Sequence, residues 1–251
     1  MLAALLLAAG TGPSVADAER AFAALAQSDG QWPAFRATAA PDAILYAPDK
    51  VNAQALLARA PTPATTLNWR PARTLTSCDG TMAYSTGPWT RSDGKTGSFG
   101  TVWRADAGGW RWIYDGGHDG GAMADTPAPV IESHAACPGP IGSVGKIPDD
   151  SQPDATAIRL GGEFGGVGRN APVPVTTLKK QALADLIEAS DGPMPLAIKL
   201  GVIVFTSAST DRTLVSRINV IANDKPGAHL LRLWSWDGRR YRLAVLDVST
   251  Q

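Results

Sequence analysis

Three turn signals, Asp79-Gly80, Asp93-Gly94 and Gly108-Gly109, divide residues 67–115 into four runs rich in Thr, Tyr, Phe and Trp. Dipeptides of this kind between strand-forming runs confine the stretch to an antiparallel four-stranded meander joined by two-residue hairpins. With every turn two residues long, Leu75 faces Tyr84, Tyr84 faces Trp103, and Trp103 faces Tyr114. Side chains alternate along a strand. One face therefore carries Trp69, Leu75, Met82, Tyr84, Phe99, Trp103, Trp110, Trp112 and Tyr114. The other carries Asn68, Arg70, Thr74, Thr76, Ser85, Ser98, Arg104, Arg111 and Asp115. An aromatic face of that extent must be covered.

The cover lies upstream. Ala18, Ala21, Phe22, Leu25 and Ala26 recur at helical spacing between Asp17 and Gln27. Gln31–Ala40 reads as a second helix carrying Trp32 and Phe35, Ala43–Tyr46 as a short strand, and Val51–Arg59 as a third helix capped by Asp49 and ended by Pro61 and Pro63. The expected fold class is α+β: three N-terminal helices packed on a curved antiparallel four-stranded meander, a cone-shaped half barrel. Residues 120–154, rich in Pro and Gly, read as a linker, and 155–251 as a β-rich C-terminal extension. In that extension Ala155–Leu160 and Leu200–Phe205 are expected strands and Leu178–Ser190 an amphipathic helix. Leu230–Trp236 and Arg239–Val248 form an expected hairpin with Trp234 opposite Tyr241.

At the N-terminus an apolar run too short to cross a bilayer precedes Ser14-Val15-Ala16, which reads as a secretory signal, residues 1–16, cut after Ala16. The expected location is periplasmic or secreted, with no membrane insertion after signal removal. In such a compartment the two cysteines, Cys78 and Cys137, are expected to form a disulfide. Twenty-three basic residues balance 23 acidic ones, which gives no electrostatic case for nucleic acid. No cysteine or histidine spacing suggests a metal, and Gly161–Gly168 lacks the order of a phosphate loop, so no cofactor is expected. Asp115-Gly-Gly-His118-Asp119 reads as a polar strand end followed by a Gly-rich loop.

The segments DAERAFAALAQSDGQWPAFRATAAPDAILYAP (17–48), SCDGTMAYSTGPW (77–89) and GGWRWIYDGGHD (108–119) resemble exported bacterial SnoaL-like domains of uncharacterised function. These belong to the cone-fold superfamily that includes nuclear transport factor and ketosteroid isomerase. The resemblance covers residues 17–119 and implies a sheet wrapped around a cavity closed by helices. The side chains it would place against a ligand are Trp32, Phe35, Tyr46, Trp69, Tyr84, Phe99, Trp103, Trp112 and Tyr114. Enzymes of the superfamily put an Asp base and a Tyr or Asp proton donor in that cavity. Here the inward positions are mostly aromatic, which leaves Asp115 or Asp42 as candidate base and Tyr84 or Tyr114 as candidate donor. The leading expectation is an exported, non-catalytic domain binding a small apolar or aromatic molecule. The alternatives are an isomerase, cyclase or dehydratase, and an interaction module whose open sheet face makes a homodimer.

Overall fold

A computed structural model describes residues 12–119, 129–139, 144–146, 157–158, 176–177, 199–222 and 229–249. Helix α1 (Val15–Asp29) starts at a capping box, in which Ser14 and Asp17 each accept from the other's backbone N–H, and stops at Gly30, whose φ of 96° few other residues adopt. Its buried stripe is Val15, Ala16, Glu19, Phe22, Ala23 and Ala26. A cut after Ala16 would remove the cap and two core side chains. Helix α2 (Gln31–Thr38) follows at once and gives way to strand β1 (Ala39–Tyr46). Strand β2 (Lys50–Asn52) leads into α3 (Ala53–Leu57), where Asn52, not Asp49, supplies the cap.

The meander is present as β3 (Asn68–Trp69), β4 (Arg73–Thr76), β5 (Met82–Thr90), β6 (Thr96–Asp106) and β7 (Gly109–Asp119). The sheet that contains it corrects the expected fold class. It has eight strands in the order β2-β1-β7-β6-β5-β4-β8, with β3 paired to β5, and it is mixed. Strand β1 runs parallel to β7, and β8 (Ile131–His134), from the segment expected to be a linker, runs parallel to β4. Turn signals report only local pairing. The outer strands of a four-stranded meander would leave rows of unpaired N–H and C=O groups, and chain from outside residues 67–115 closes both rows.

Register is the second correction. Leu75 does face Tyr84, but Tyr84 faces Val102, and Val102 faces Tyr114. Trp103 instead lies between Ala83 and Trp112. The cause is the β5–β6 connection, where Arg91 N–H donates to the Lys95 carbonyl and Gly94 N–H to the Arg91 carbonyl, with φ 83° at Gly94. That is a three-residue turn ending in a left-handed residue, which displaces the register by one. The third turn is Ala107-Gly108, and a bulge at Ile113 restores the phase, so the two slips cancel at Tyr114. A slip of one residue exchanges the faces. Trp103, Trp112, Ser85, Thr101 and Asp115 share the helix side with Trp69, whereas Leu75, Tyr84, Val102 and Tyr114 look the other way.

That second face is covered too. Strands β9 (Ala157–Ile158) and β10 (Thr176–Thr177) form a small pair. Strands β11 (Lys199–Ala208), β12 (Leu214–Ala222), β13 (His229–Trp236) and β14 (Tyr241–Ser249) form an antiparallel sheet. Leu214, Ile218, Leu231, Leu233 and Val245 belong to the same buried cluster as Phe22, Trp103 and Tyr114. The hairpin turn spans 237–240, closed by Asp237 N–H on the Arg240 carbonyl, so Trp236 opposes Tyr241 and Trp234 opposes Leu243. The two sheets are joined by reciprocal loops, in which Asp79 N–H donates to Asp211 and Asp211 N–H to Asp79 at 2.9 and 2.7 Å. Cys78 N–H donates to Thr213, and Lys50 Nζ to the Val204 carbonyl. The helix expected at 178–190 lies outside the described residues.

Cys78 and Cys137 are bridged across 59 positions. Closing a loop of that length removes about 4 kcal/mol of unfolded-state entropy on the chain-entropy account. Unreduced protein digested with trypsin should give one Cys78–Cys137 linked peptide by mass spectrometry, and reduction should lower the denaturant midpoint; two alkylated thiols in unreduced protein would exclude the bridge in solution. A fragment ending at Asp119 uncovers Leu75, Tyr84, Val102 and Tyr114. It should bind ANS and lose near-ultraviolet circular dichroism, and a fragment with native spectra and no ANS binding would show that the C-terminal sheet is dispensable.

Candidate functional site

On the helix side the sheet is not filled. A cavity of about 480 Å³ lies between it and the helices, within the size range of small-molecule sites. Helix α2 contributes Trp32 and Phe35, α3 Leu56 and Leu57, and β1 Leu45 and Tyr46. The sheet contributes Trp69, Trp89, Phe99 and the end of β7 at Asp115, Gly116 and Gly117. Gln31, Asp119 and His229 complete the polar part of the lining. Gly117 is required where it stands, since a Cβ there would meet the Ser98 carbonyl oxygen at 2.7 Å.

The indole N–H groups of this wall are spent outside the cavity. Trp32 Nε1 donates to the Pro61 carbonyl at 2.8 Å, Trp89 Nε1 to the Ser98 carbonyl at 3.1 Å, and Trp69 Nε1 to Glu19 Oε1 at 2.7 Å. The last bond opens a buried polar chain. Glu19, fully buried on α1, also accepts from Ser85 Oγ at 2.5 Å, and Ser85 Oγ in turn accepts from Trp103 Nε1 at 2.8 Å. Thr101 Oγ1 donates to Asp115 Oδ2 at 2.7 Å and lies within hydrogen-bonding reach of Glu19. Ser85, Thr101 and Asp115 are register partners across β5, β6 and β7, so one row of the sheet carries the chain from the core to the cavity.

Burial sets the proton affinities here. Loss of water raises Glu19 from 4.5 to about 7 against the hydrogen bonds from Ser85 and Trp69 that favour its anion. The same desolvation, with the Glu19 charge added, raises Asp115 from 3.8 to about 8. Asp115 is half-buried and reaches the cavity, so near neutral pH it exchanges a proton at the wall of an apolar space.

Of the side chains expected to contact a ligand, Trp32, Phe35, Tyr46, Trp69 and Phe99 line the cavity. Trp103 and Trp112 lie on the same side of the sheet but are packed shut against Phe22 and Phe35. Tyr84 and Tyr114 lie on the opposite face, where Tyr114 Oη bonds His229 Nε2 at 2.8 Å and burial followed by the Asp247 charge holds the Tyr84 hydroxyl far above its usual range. Asp42 is at the surface in a bidentate ion pair with Arg104 at 2.6 and 3.0 Å. Asp115 is thus separated from Tyr84 and Tyr114 by the sheet, and Asp42 is held at the surface by Arg104, away from the cavity lining. Sequence reading missed Glu19, Trp89 and His229. Glu19 was legible, since it falls on the stripe Ala16, Glu19, Phe22, Ala23; His229, stacked on Tyr46 at 3.8 Å, comes from a segment with no local mark of the site. Among the described residues no group of three His, Cys, Asp or Glu side chains is placed to hold a metal.

The raised carboxyls fix the sign of a pH effect. The folded chain binds more protons than the unfolded chain between about pH 4 and pH 8, so their contribution to stability is complete at the acid end and is lost as pH rises through that window. Glu19→Gln, which keeps the shape and cannot ionise, should flatten the fall of the urea midpoint from pH 5 to 8. Glu19→Ala should cost about 2–4 kcal/mol at pH 5, because it opens a void and strands the Trp69 N–H, and less as pH rises, because it too removes the titrating carboxyl. Identical pH profiles for wild type and Glu19→Gln would rule out this role.

No protein-family model and no curated protein matches the chain. Among solved structures, one described as a "putative aromatic ring hydroxylase" from Novosphingobium aromaticivorans is similar over 42% of this chain and 90% of its own, with 13% identity and a TM-score of 0.29. A likeness of that degree carries no argument about fold or function.

Proposed function

We propose that this chain binds a small, largely apolar molecule with an aromatic or similarly flat body, and that the cavity between α2, α3 and β7 is the site. The observation that carries the reading is the cavity's make-up: about 480 Å³ walled by Trp32, Phe35, Tyr46, Trp69, Trp89 and Phe99, with one carboxyl at the end of β7. Aromatic walls with few polar groups give affinity through buried area and orientation through the polar minority. Binding rather than catalysis is favoured because Tyr84 and Tyr114 lie across the sheet from Asp115, and the tyrosine in the cavity wall, Tyr46, is stacked flat on His229. A homodimer through the second sheet face is disfavoured because β11–β14 occupy it. Export is proposed alongside, supported by the Cys78–Cys137 bridge, which persists in oxidising compartments. No helix among the described residues is long and apolar enough to cross a membrane.

Three tryptophans in the wall make intrinsic fluorescence the direct readout. Titration with phenethyl alcohol, naphthalene and a steroid should give a saturable change for at least one. Phe99→Trp, which fills the space, should weaken that ligand about tenfold or more while leaving the unfolding free energy within about 1 kcal/mol of wild type. No saturable change with any apolar compound, by fluorescence or calorimetry, would end the proposal.

A further inference from the structure

We infer that the ligand of this cavity carries a protonated amine, held by Asp115. The inference rests on the binding reading above and names the ligand's chemistry.

The described wall of the cavity offers ring faces and carboxyls, and its side-chain donors, such as the Gln31 amide and the Tyr46 hydroxyl, are neutral. All three of its indole N–H groups are committed to Pro61, Ser98 and Glu19, so the indoles present ring surface alone. His229 Nε2 is engaged by the Tyr114 hydroxyl and its ring is stacked on Tyr46. Gln31 Oε1 accepts from Leu67 N–H. Among the described residues no Lys or Arg lines the space, and the acidic side chains that do are Asp115 and Asp119. A carboxylate or phosphate would meet two acids and no cation, and burying it there costs several kcal/mol. A cation meets the reverse: carboxyl oxygens for its N–H groups and electron-rich ring faces around its charge.

The neighbours of Asp115 fit this assignment. Glu19 and Thr101 are its neighbours on the protein side and Tyr84 lies across the sheet, and none of these carries a positive charge. In the empty site the carboxyl therefore holds its proton near neutral pH. An ammonium ion supplies the missing positive charge, so binding drives the proton off Asp115 into solvent while the amine stays charged. Asp119, exposed at the end of β7, places a second negative charge on the approach to the cavity.

Calorimetry on the whole chain at pH 7 with phenethylamine, phenethyl alcohol and phenylacetate separates the cases. Phenethylamine should bind at least about tenfold tighter than the alcohol, the strength expected of a charge-assisted hydrogen bond, and phenylacetate should be weakest. Repeating the phenethylamine titration in buffers of different ionisation enthalpy should show net proton release. Asp115→Asn should erase both the amine's advantage over the alcohol and the proton release, with a native near-ultraviolet circular dichroism spectrum showing that the variant is folded. Should that variant fail to fold, Thr101→Val, which removes the donor that favours the Asp115 anion, should weaken amine binding and increase proton release at pH 8. Equal affinity for amine and alcohol, or an amine advantage that survives Asp115→Asn, overturns the inference while the binding reading stands. Failure of all three compounds and of the larger apolar ones removes both.

Discussion

The hydrogen bond from Arg91 N–H to the Lys95 carbonyl decides which side chains of β6 meet the helices. A two-residue turn there would send Thr101 outward and bring Val102 in. With three residues and Gly94 in the left-handed region, Thr101 stands between Ser85 and Asp115, and a line of hydroxyl and carboxyl groups runs across an otherwise aromatic surface. Everything distinctive about the site follows from that parity. Glu19 finds partners only because Ser85 and Trp103 both point toward α1, and an unpartnered buried carboxylate would be far too costly to keep.

The same parity sends Tyr84 and Tyr114 to the other face, where they need a second cover. Gly100 and Gly116, paired across β6 and β7, leave room for those two hydroxyls; a Cβ at either position would meet the tyrosine oxygen at 2.5 or 2.3 Å. The C-terminal sheet then closes over them with Asp247 and His229. The first sheet thus carries Ser85, Thr101 and Asp115 on its helix side and Tyr84 and Tyr114 toward the second sheet.

Much of the first half of the chain was legible from local pattern. The stripe on α1 and the cysteine pair depend on residues close in sequence or on composition, and both are in place; the meander turns are located too, but the second has three residues and the third is Ala107-Gly108. What local pattern missed depends on distance or on a single turn's length. The β1–β7 and β4–β8 pairings join segments about 60–70 positions apart, and no dipeptide announces a parallel neighbour. Strand β12 hid because its inward side includes Ser216 as well as Leu214 and Ile218, and Asn219 is satisfied by Arg232 from β13. Five of the nine aromatic positions expected at the ligand do line the cavity. Those at Tyr84 and Tyr114 fail through one three-residue turn, and those at Trp103 and Trp112 because Phe22 and Phe35 reach them first.

His229 belongs to two structures at once: its ring forms part of the cavity wall against Tyr46, and its Nε2 ties β13 to Tyr114 on β7. A compartment with one wall supplied by a neighbouring layer cannot be dismantled independently of that layer. Detaching the C-terminal sheet and breaching the cavity are therefore a single opening event, and any occupant shifts that equilibrium toward the closed form by mass action. The C-terminal sheet thereby supplies part of the cavity wall that the helices and the first sheet do not complete by themselves.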